Sequence, residues 1–299
     1  MSFPPVARTA FVTGCSSGIG LATAALLQAR GWRVLASARQ PADLAMLATR
    51  GFDAIELDLA QSASVQRAVA RVLEITGGTL GALVNNAGAG QPGAWEDLSR
   101  DALREQFEVN VFGLHELTRA FIPVFRRAQA GRIVNVSSVL GRVTMPFMGA
   151  YCASKHALES LSDALRVELA DTGIAVAIVE PGPIITAFRA NAQNRVAKHV
   201  DTAHSRFGGM MARDLERRRN SQKRPGFINK PPEAVGARIV HALESPRPRR
   251  RYCVSPVAHL GAWLRRLAPD ALMDAVLVRR LRRLQRASPD SPPAARGHG

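Results

Sequence analysis

Cysteine is scarce in this chain. Only Cys15, Cys152 and Cys253 occur in 299 residues. Their number is odd and none stands at a metal-ligand spacing, so a disulfide framework and a zinc site are both excluded, no metal is expected, and the three read as free thiols of a reducing cytoplasm. Aromatic residues are also few, at 5%, but an apolar content of 46% is enough for a sizeable core. No window holds 18 consecutive apolar residues, which excludes a membrane-spanning helix. The first eight residues run straight into a strand without the apolar stretch of a signal peptide, and the expected location is the cytoplasm. Acidic residues are outnumbered 24 to 40, for a net charge of +16. That excess is uneven: residues 246–299 hold twelve Arg against three Asp, a net +9, which leaves about +7 for the other 245 residues. A basic tail on an ordinary body argues against a nucleic-acid binder, and no nucleic-acid partner is expected.

The order of elements follows from hydrophobic pattern and turn residues. Strands are expected at 9–12, 33–38, 54–57, 82–84, 132–136 and 175–179, the last ended by Pro181-Gly182. Between them, helices are expected at 18–29 with Leu21, Ala24, Ala25 and Leu27 inward, from Pro41, from a Ser62 cap to about Thr76, over 101–125 as one long helix, and over 151–170. This alternation of apolar strands and helices predicts a doubly wound, mostly parallel sheet of about seven strands covered on both faces. Beyond Gly182 the rhythm breaks. Residues 187–230 are polar and Arg-rich, the signature of either a functional lid or a disordered stretch, before a helix at 232–243. One domain is expected over 1–256, a basic amphipathic helical extension over 257–287 and a disordered tail over 288–299.

Two features carry chemistry. Tyr151 and Lys155 stand four residues apart, so on a helix they share one face, and Ser138 lies thirteen residues before the tyrosine. A phenol has a pKa of about 10, too high for acid–base work near neutrality unless a neighbouring cation lowers it, which is the part expected of Lys155. Such a trio can pass a proton to or from a carbonyl or hydroxyl oxygen. Upstream, Thr13-Gly14-Cys15-Ser16-Ser17-Gly18-Ile19-Gly20 joins the first strand to the first helix, where glycines and free N–H groups suit a pyrophosphate. Its glycine spacing departs from the Gly-x-Gly-x-x-Gly fingerprint.

With Asn85-Asn86-Ala87-Gly88, Asn110, Ser138, the Tyr151/Lys155 pair and Pro181-Gly182 added to that loop, the chain resembles the short-chain dehydrogenase/reductases from about residue 9 to 186. The resemblance implies a Rossmann-like sheet and nicotinamide-dependent hydride transfer. It makes Tyr151 the general acid/base, Lys155 the ligand of the nicotinamide ribose and the group that lowers the Tyr151 pKa, and Ser138 the holder of the substrate oxygen. Asn110 would hold a proton-relay water; the other reading is a helix-bending polar residue, and the two are compatible. Gly14, Ser16, Ser17, Gly18, Ile19 and Gly20 would cradle the cofactor's phosphates, and Asn86 and Gly88 would shape the strand end beside the adenosine ribose. Asp58 would bind the adenine amino group, or simply cap its strand. Pro181, Gly182, Ile184 and Thr186 would anchor the carboxamide.

The second strand ends in Ala38-Arg39, with no acid to hold a ribose 2′-hydroxyl or repel a 2′-phosphate, and Arg39 suits that phosphate. NADP is therefore expected over NAD, although Ser17 stands where the family often has a second basic residue. Val139, Met145, Phe147, Met148, Phe188, Phe207, Met210 and Met211 are candidate apolar liners beside Ser138, and they suggest a hydrophobic alcohol or carbonyl compound. The sequence around 34–39, 110–113 and 151–168 is similar to hydroxysteroid- and retinol-dehydrogenase-like members. The alternatives are a 3-oxoacyl-carrier-protein reductase, which the long 187–230 segment disfavours, and a non-catalytic dinucleotide-sensing regulator that binds membrane or nucleic acid through its tail. Leu277, Leu281 and Leu284 form a helical stripe flanked by arginines, with a shorter one at Trp263, Leu264 and Leu267. Such an extension either packs on the body or lies peripherally on an anionic membrane. The resemblance further implies a homo-oligomer, a dimer or tetramer.

Overall fold

The structure is a computed structural model and describes residues 2–221 and 226–286; the tail expected at 288–299 lies outside the described residues. Seven strands form one parallel sheet: β1 (Thr9–Val12), β2 (Arg33–Ala38), β3 (Asp53–Glu56), β4 (Ala82–Asn85), β5 (Gly131–Val136), β6 (Ile174–Pro181) and β7 (Arg251–Val254), in the order β3-β2-β1-β4-β5-β6-β7. The doubly wound, Rossmann-like expectation holds.

Strand period assigns the core. Ala10, Val12, Val34, Ala36, Ala82, Val84, Val134 and Val136 face one side. There they meet α1 (Gly18–Ala29), α2 (Pro41–Thr49) and α9 (Pro232–Glu244) through Ala24, Leu27, Leu47, Val235 and Ile239. Phe11, Leu35, Leu83 and Ile133 face the other, against Val65, Ala68 and Val72 of α3 (Ser62–Ile75) and Leu117, Phe121 and Phe125 of α5 (Gly113–Ala128). The small residues lie on the α1/α9 side, so those helices sit close to the sheet. Strand β1 pairs with both β2 and β4, and the carboxyl ends on either side of it form the crevice in which doubly wound sheets bind ligands.

Several local expectations are corrected. Ala25 is exposed and Leu21 only half-buried, because the buried face of α1 is Gly20, Thr23, Ala24 and Leu27. Ser62 does not cap α3; Gln61 occupies that position, and the Ser62 hydroxyl donates to Glu116 Oε1 at 2.6 Å. The helix expected over 101–125 is two helices, α4 (Arg100–Phe107) and α5, joined by a π-helical turn at Glu108–Phe112. The 187–230 segment holds α7 (Phe188–His199) and α8 (Gly208–Ser221), and α6 spans Gly149–Glu168. The extension forms α10 (Pro256–Leu267) and α11 (Asp270–Arg286). Here the two stripes part company. Leu284 is buried, Leu277 and Leu281 are half-buried, and Arg280 pairs with Asp214 of α8 at 2.7 Å, so this stripe packs on the body. The stripe of Trp263, Leu264 and Leu267 is exposed.

Candidate active site

The glycine loop runs from the end of β1 into α1. Gly14 and Gly18 adopt φ of +72° and +58°, the left-handed region open to glycine. A Cβ on Gly20 would lie 2.1 Å from the Gly14 carbonyl oxygen, and one on Gly18 would lie 2.9 Å from Thr186 Cγ2. Neighbouring strands pin this loop. The Ser37 hydroxyl accepts from the Gly14 N–H at 3.2 Å, and the Thr13 hydroxyl accepts from the Asn86 and Ala87 N–H groups at 3.0 and 2.9 Å. Asn86 Nδ2 donates to the Thr13 and Gly14 carbonyls. The N-terminus of α1 has no side-chain cap and no acid in its first turn. Its orphan N–H groups and the helix dipole thus lie at a bare glycine cradle, a donor set that fits a dinucleotide pyrophosphate.

At the far end of the crevice, Arg39, Glu56, Asp58, Ser64 and Arg67 line a depression beyond β2 and β3. Asp58 acts as a strand-end cap: its carboxylate accepts from the Ala60 N–H at 3.0 Å and its own N–H donates to Ser64 Oγ at 2.9 Å. Arg39 is exposed, with no hydrogen-bond or ion-pair partner among the described residues.

Ser138 follows β5, and Tyr151 and Lys155 lie on α6, both phenol and ammonium buried. Lys155 Nζ donates to the Val136 carbonyl at 2.9 Å and stands 5.9 Å from the centroid of the Tyr151 ring. Burial pushes the Tyr151 phenol up to about 12, partly offset by its hydrogen bond with Ser138. Burial pulls Lys155 down to about 8, against the opposing field of Glu159. The lowering of the phenol expected from Lys155 is not seen, because burial outweighs it; the phenol is a neutral acid at physiological pH, beside an ammonium and a serine hydroxyl, able to give a proton to an oxygen placed at Ser138.

Asn110 sits on the π-helical turn between α4 and α5 and is fully buried. Its Oδ1 accepts from the Ala89 N–H at 2.8 Å, and its Nδ2 donates to the Ala89 carbonyl and to Ser154 Oγ at 2.9 and 3.0 Å. Both ends of the amide are therefore committed to fixing the loop after β4 against α6. Gly88 is part of this joint, since a Cβ there would lie 3.4 Å from Asn110 Oδ1 and 3.6 Å from Lys155 Nζ.

On the substrate side, Val139, Met145, Met148 and Phe188 gather with Tyr151 in one apolar cluster, and Phe188 lies 5.5 Å from the Tyr151 ring. Phe147 does not join them. It adopts φ +61° and packs on Phe207 at 5.8 Å, in a second cluster with Met211 and Val196. Gly182 serves β7 as well as the crevice, since a Cβ there would lie 2.1 Å from Ser255 Oγ. Ile184 is buried and bridges to Lys230; Thr186 lies just before α7, its hydroxyl accepting from the Phe188 N–H at 3.3 Å.

Sequence reading missed the charged cluster behind this site. Arg142 and Arg251 both donate to Glu180 Oε1, at 2.8–3.0 Å, and Arg251 also reaches Glu159 and Asp163 at 2.9 and 2.7 Å. Three elements and the loop after β5 supply these groups, so no local spacing reveals the whole. Only Glu159 and Asp163 were legible, as the next two turns after Tyr151 and Lys155 on one helical face.

Comparison with known proteins agrees with this geometry. Residues 8–197 match the family model of the short chain dehydrogenases. An oxidoreductase of Escherichia coli K12, the uncharacterized YbbO, is 40% identical, over 90% of this chain and 94% of its own. The NADPH-dependent 3-dehydrocapnine reductase of Ornithobacterium rhinotracheale is 32% identical, over 94% and 100%, and retinol dehydrogenase 16 of Mus musculus 36% identical, over 89% and 86%. Among solved structures, a short chain dehydrogenase of Burkholderia cenocepacia in complex with NADP matches at a TM-score of 0.69 and 27% identity, covering 93% of this chain and 99% of that one. One from Burkholderia phymatum in complex with NAD matches at 0.70 and 26%, covering 98% and 99%. The chain belongs to the short-chain dehydrogenases, a family of oxidoreductases that bind a nicotinamide dinucleotide.

Proposed function

We propose that the chain is an NADP(H)-dependent oxidoreductase that interconverts a hydrophobic secondary alcohol or aldehyde/ketone, steroid-, retinoid- or lipid-like, with Tyr151 as general acid/base. The observation that carries this reading is the buried Tyr151/Lys155 pair with the half-buried Ser138 beside it, next to Val139, Met145 and Phe188. The nicotinamide supplies or accepts the hydride when bound. Gly14, Ser16, Ser17, Gly18, Ile19 and Gly20 would hold its phosphates, Arg39 and Asp58 its adenosine, and Lys155 its nicotinamide ribose. Pro181, Gly182, Ile184 and Thr186 would hold the carboxamide. Ser138 orients the substrate oxygen and Tyr151 protonates it. Apolar side chains around the phenol hold a lipophilic substrate and exclude water. Arg39 at the end of β2, where no acid stands, supports NADP; the NADPH-dependent relative points the same way, while the two solved structures hold one cofactor each. The name of the mouse retinol dehydrogenase fits a lipophilic substrate.

The same reading extends to two partners. A second copy of the chain is suited by Phe112, Leu161 and Val167, which are exposed on the segments that carry Asn110 and Tyr151. An anionic membrane surface is suited by the exposed face of α10, and among the described residues no helix is long and apolar enough to cross a bilayer.

The test is oxidation of NADPH followed at about 340 nm against hydrophobic ketones and aldehydes, with Tyr151→Phe alongside. Loss of a general acid costs about 10²–10⁴-fold in rate. A variant that keeps its turnover removes Tyr151 from the role.

A further inference from the structure

Helix α10 stands outside the residues that match the family model, yet it is built against the substrate side of the site. It begins at the carboxyl end of β7. There Ser255 is buried at a φ of +101°, and its hydroxyl accepts from the Ala258 N–H at 3.4 Å. Ser255 also abuts the Pro181-Gly182 turn, since a Cβ on Gly182 would lie 2.1 Å from its Oγ. The capped first turn and this crowding fix where the helix starts. From there α10 meets the short 3₁₀ turn Val139–Gly141, which Ser138 caps by accepting from the Leu140 N–H at 3.1 Å. Ala258 is buried in one cluster with Val139, Leu140, Met148 and Tyr151.

Three residues on, Gly261 faces Val139 directly. A Cβ at Gly261 would lie 2.7 Å from Val139 Cγ2 and 3.9 Å from both methyls of Val143. Two carbons do not pack at the first of these distances. Gly261 keeps a helical backbone, so the close approach, not a left-handed turn, is what calls for glycine. Inside a helix glycine is otherwise disfavoured against alanine. A methyl placed at this position must displace something. Retreat of α10 would uncover Ala258, which is 1% exposed, whereas Val139 has a single side-chain torsion to turn. Val139 therefore gives, into the cluster that it shares with Met145, Phe188 and Tyr151.

We propose that Gly261 is a positioning residue for substrate specificity: by letting α10 seat against Val139 it sets the width of the pocket beside Tyr151, and so the bulk of the carbonyl compound admitted. This rests on the function proposed above, in which Val139 borders the substrate. The test is kcat/KM with NADPH for the full-length wild type, Gly261→Ala, Val139→Ala and the double variant. The substrates rise in bulk, from benzaldehyde and cyclohexanone to retinal and a steroid ketone. One methyl group in an apolar pocket is worth about tenfold or more. Gly261→Ala should lose about that factor on the bulky pair and less than about threefold on the small pair, with NADPH affinity unchanged. Adding Val139→Ala should restore the bulky pair. Val139→Ala alone should shift preference toward bulk, an outcome that needs no folded Gly261→Ala. An equal loss on all four would mean that the turn carrying Ser138 has moved. That result, no loss on any, or a loss that Val139→Ala leaves in place overturns this proposal and leaves the proposed function standing. A wild type that reduces none of the four overturns the proposed function and this inference with it.

Discussion

At the scale of single residues, the chemistry depends on which charges are buried together. Tyr151, Lys155 and Glu159 occupy successive turns of one face of α6, all buried. Burial raises Glu159 to about 7, with Glu180 pushing the same way and Arg251 and Arg142 opposing. Once ionised, Glu159 holds Lys155 up against its own desolvation. The consequence has a definite sign. Removing that negative charge takes away the support of the ammonium, so Lys155 loses its proton at lower pH than about 8. In Glu159→Gln the alkaline limb of kcat/KM for reduction, which reports the free enzyme, should move to lower pH while the rate on its plateau changes little. An alkaline limb that stays in place would assign Glu159 to the Arg142/Arg251 cluster alone. The chemical trio itself was legible from spacing, because a helix puts residues four apart on one face. The saturation of Asn110 by Ala89 and Ser154 was not, since its partners are 21 and 44 residues away.

At the scale of elements, the strands and first helix could be read because their residues are apolar at the right period and their ends carry glycine or proline. What escaped had a weak local signal. β7 is four residues long, flanked by arginines and Ser255-Pro256, and alternates Arg251, Tyr252, Cys253 and Val254; its pairing with β6 decides its fate. The π-helical turn at Glu108–Phe112 shifts a helix by one residue, too small a slip to show in an amphipathic pattern. Glycine roles also divide only in three dimensions. Gly20 lies in the first turn of α1 and Gly31 just beyond its end, yet a Cβ on Gly20 would meet the Gly14 carbonyl at 2.1 Å, while one on Gly31, at φ +77°, would meet nothing within 4 Å. Gly31→Ala should therefore cost only its left-handed backbone, about 1–2 kcal/mol, and leave cofactor binding unchanged. Gly20→Ala must displace the loop that frames the anion site and should weaken NADPH binding by more than about tenfold, in keeping with the loss of positioned backbone donors. Thermal melts and cofactor titrations of both variants measure the two effects separately; an unaltered affinity in Gly20→Ala would contradict the cradle.

At the scale of the whole molecule, the question is where the surplus positive charge and the uncovered apolar surface lie relative to the substrate. They lie together. Leu260, Trp263, Leu264 and Leu267 form an exposed stripe on one face of α10. On α11, Leu272 and Val276 are exposed in line with Arg279 and Arg283. The other face of α10 rests on Val139 and Val143, immediately after Ser138, so the stripe borders the substrate side of the site. Apolar side chains next to arginines match the boundary of an anionic bilayer, where the former enter the acyl region and the latter meet headgroups. A lipophilic substrate dissolved in that bilayer would then be delivered beside Tyr151. Sedimentation with vesicles of neutral lipid and with vesicles containing phosphatidylserine provides the measurement. Binding should require the anionic lipid and fall as salt rises toward 1 M, where the screening length is about 3 Å. Replacing Trp263 and Leu267 by Ser should weaken it by about tenfold or more per side chain, the order expected from apolar area withdrawn from water. Turnover of a short, water-soluble ketone should be untouched, because neither residue belongs to the Tyr151 cluster. If binding persists in the double variant, or is equal on neutral vesicles, the stripe is not a bilayer contact, and a change in oligomeric state on the same substitutions would assign it to a second copy of the chain.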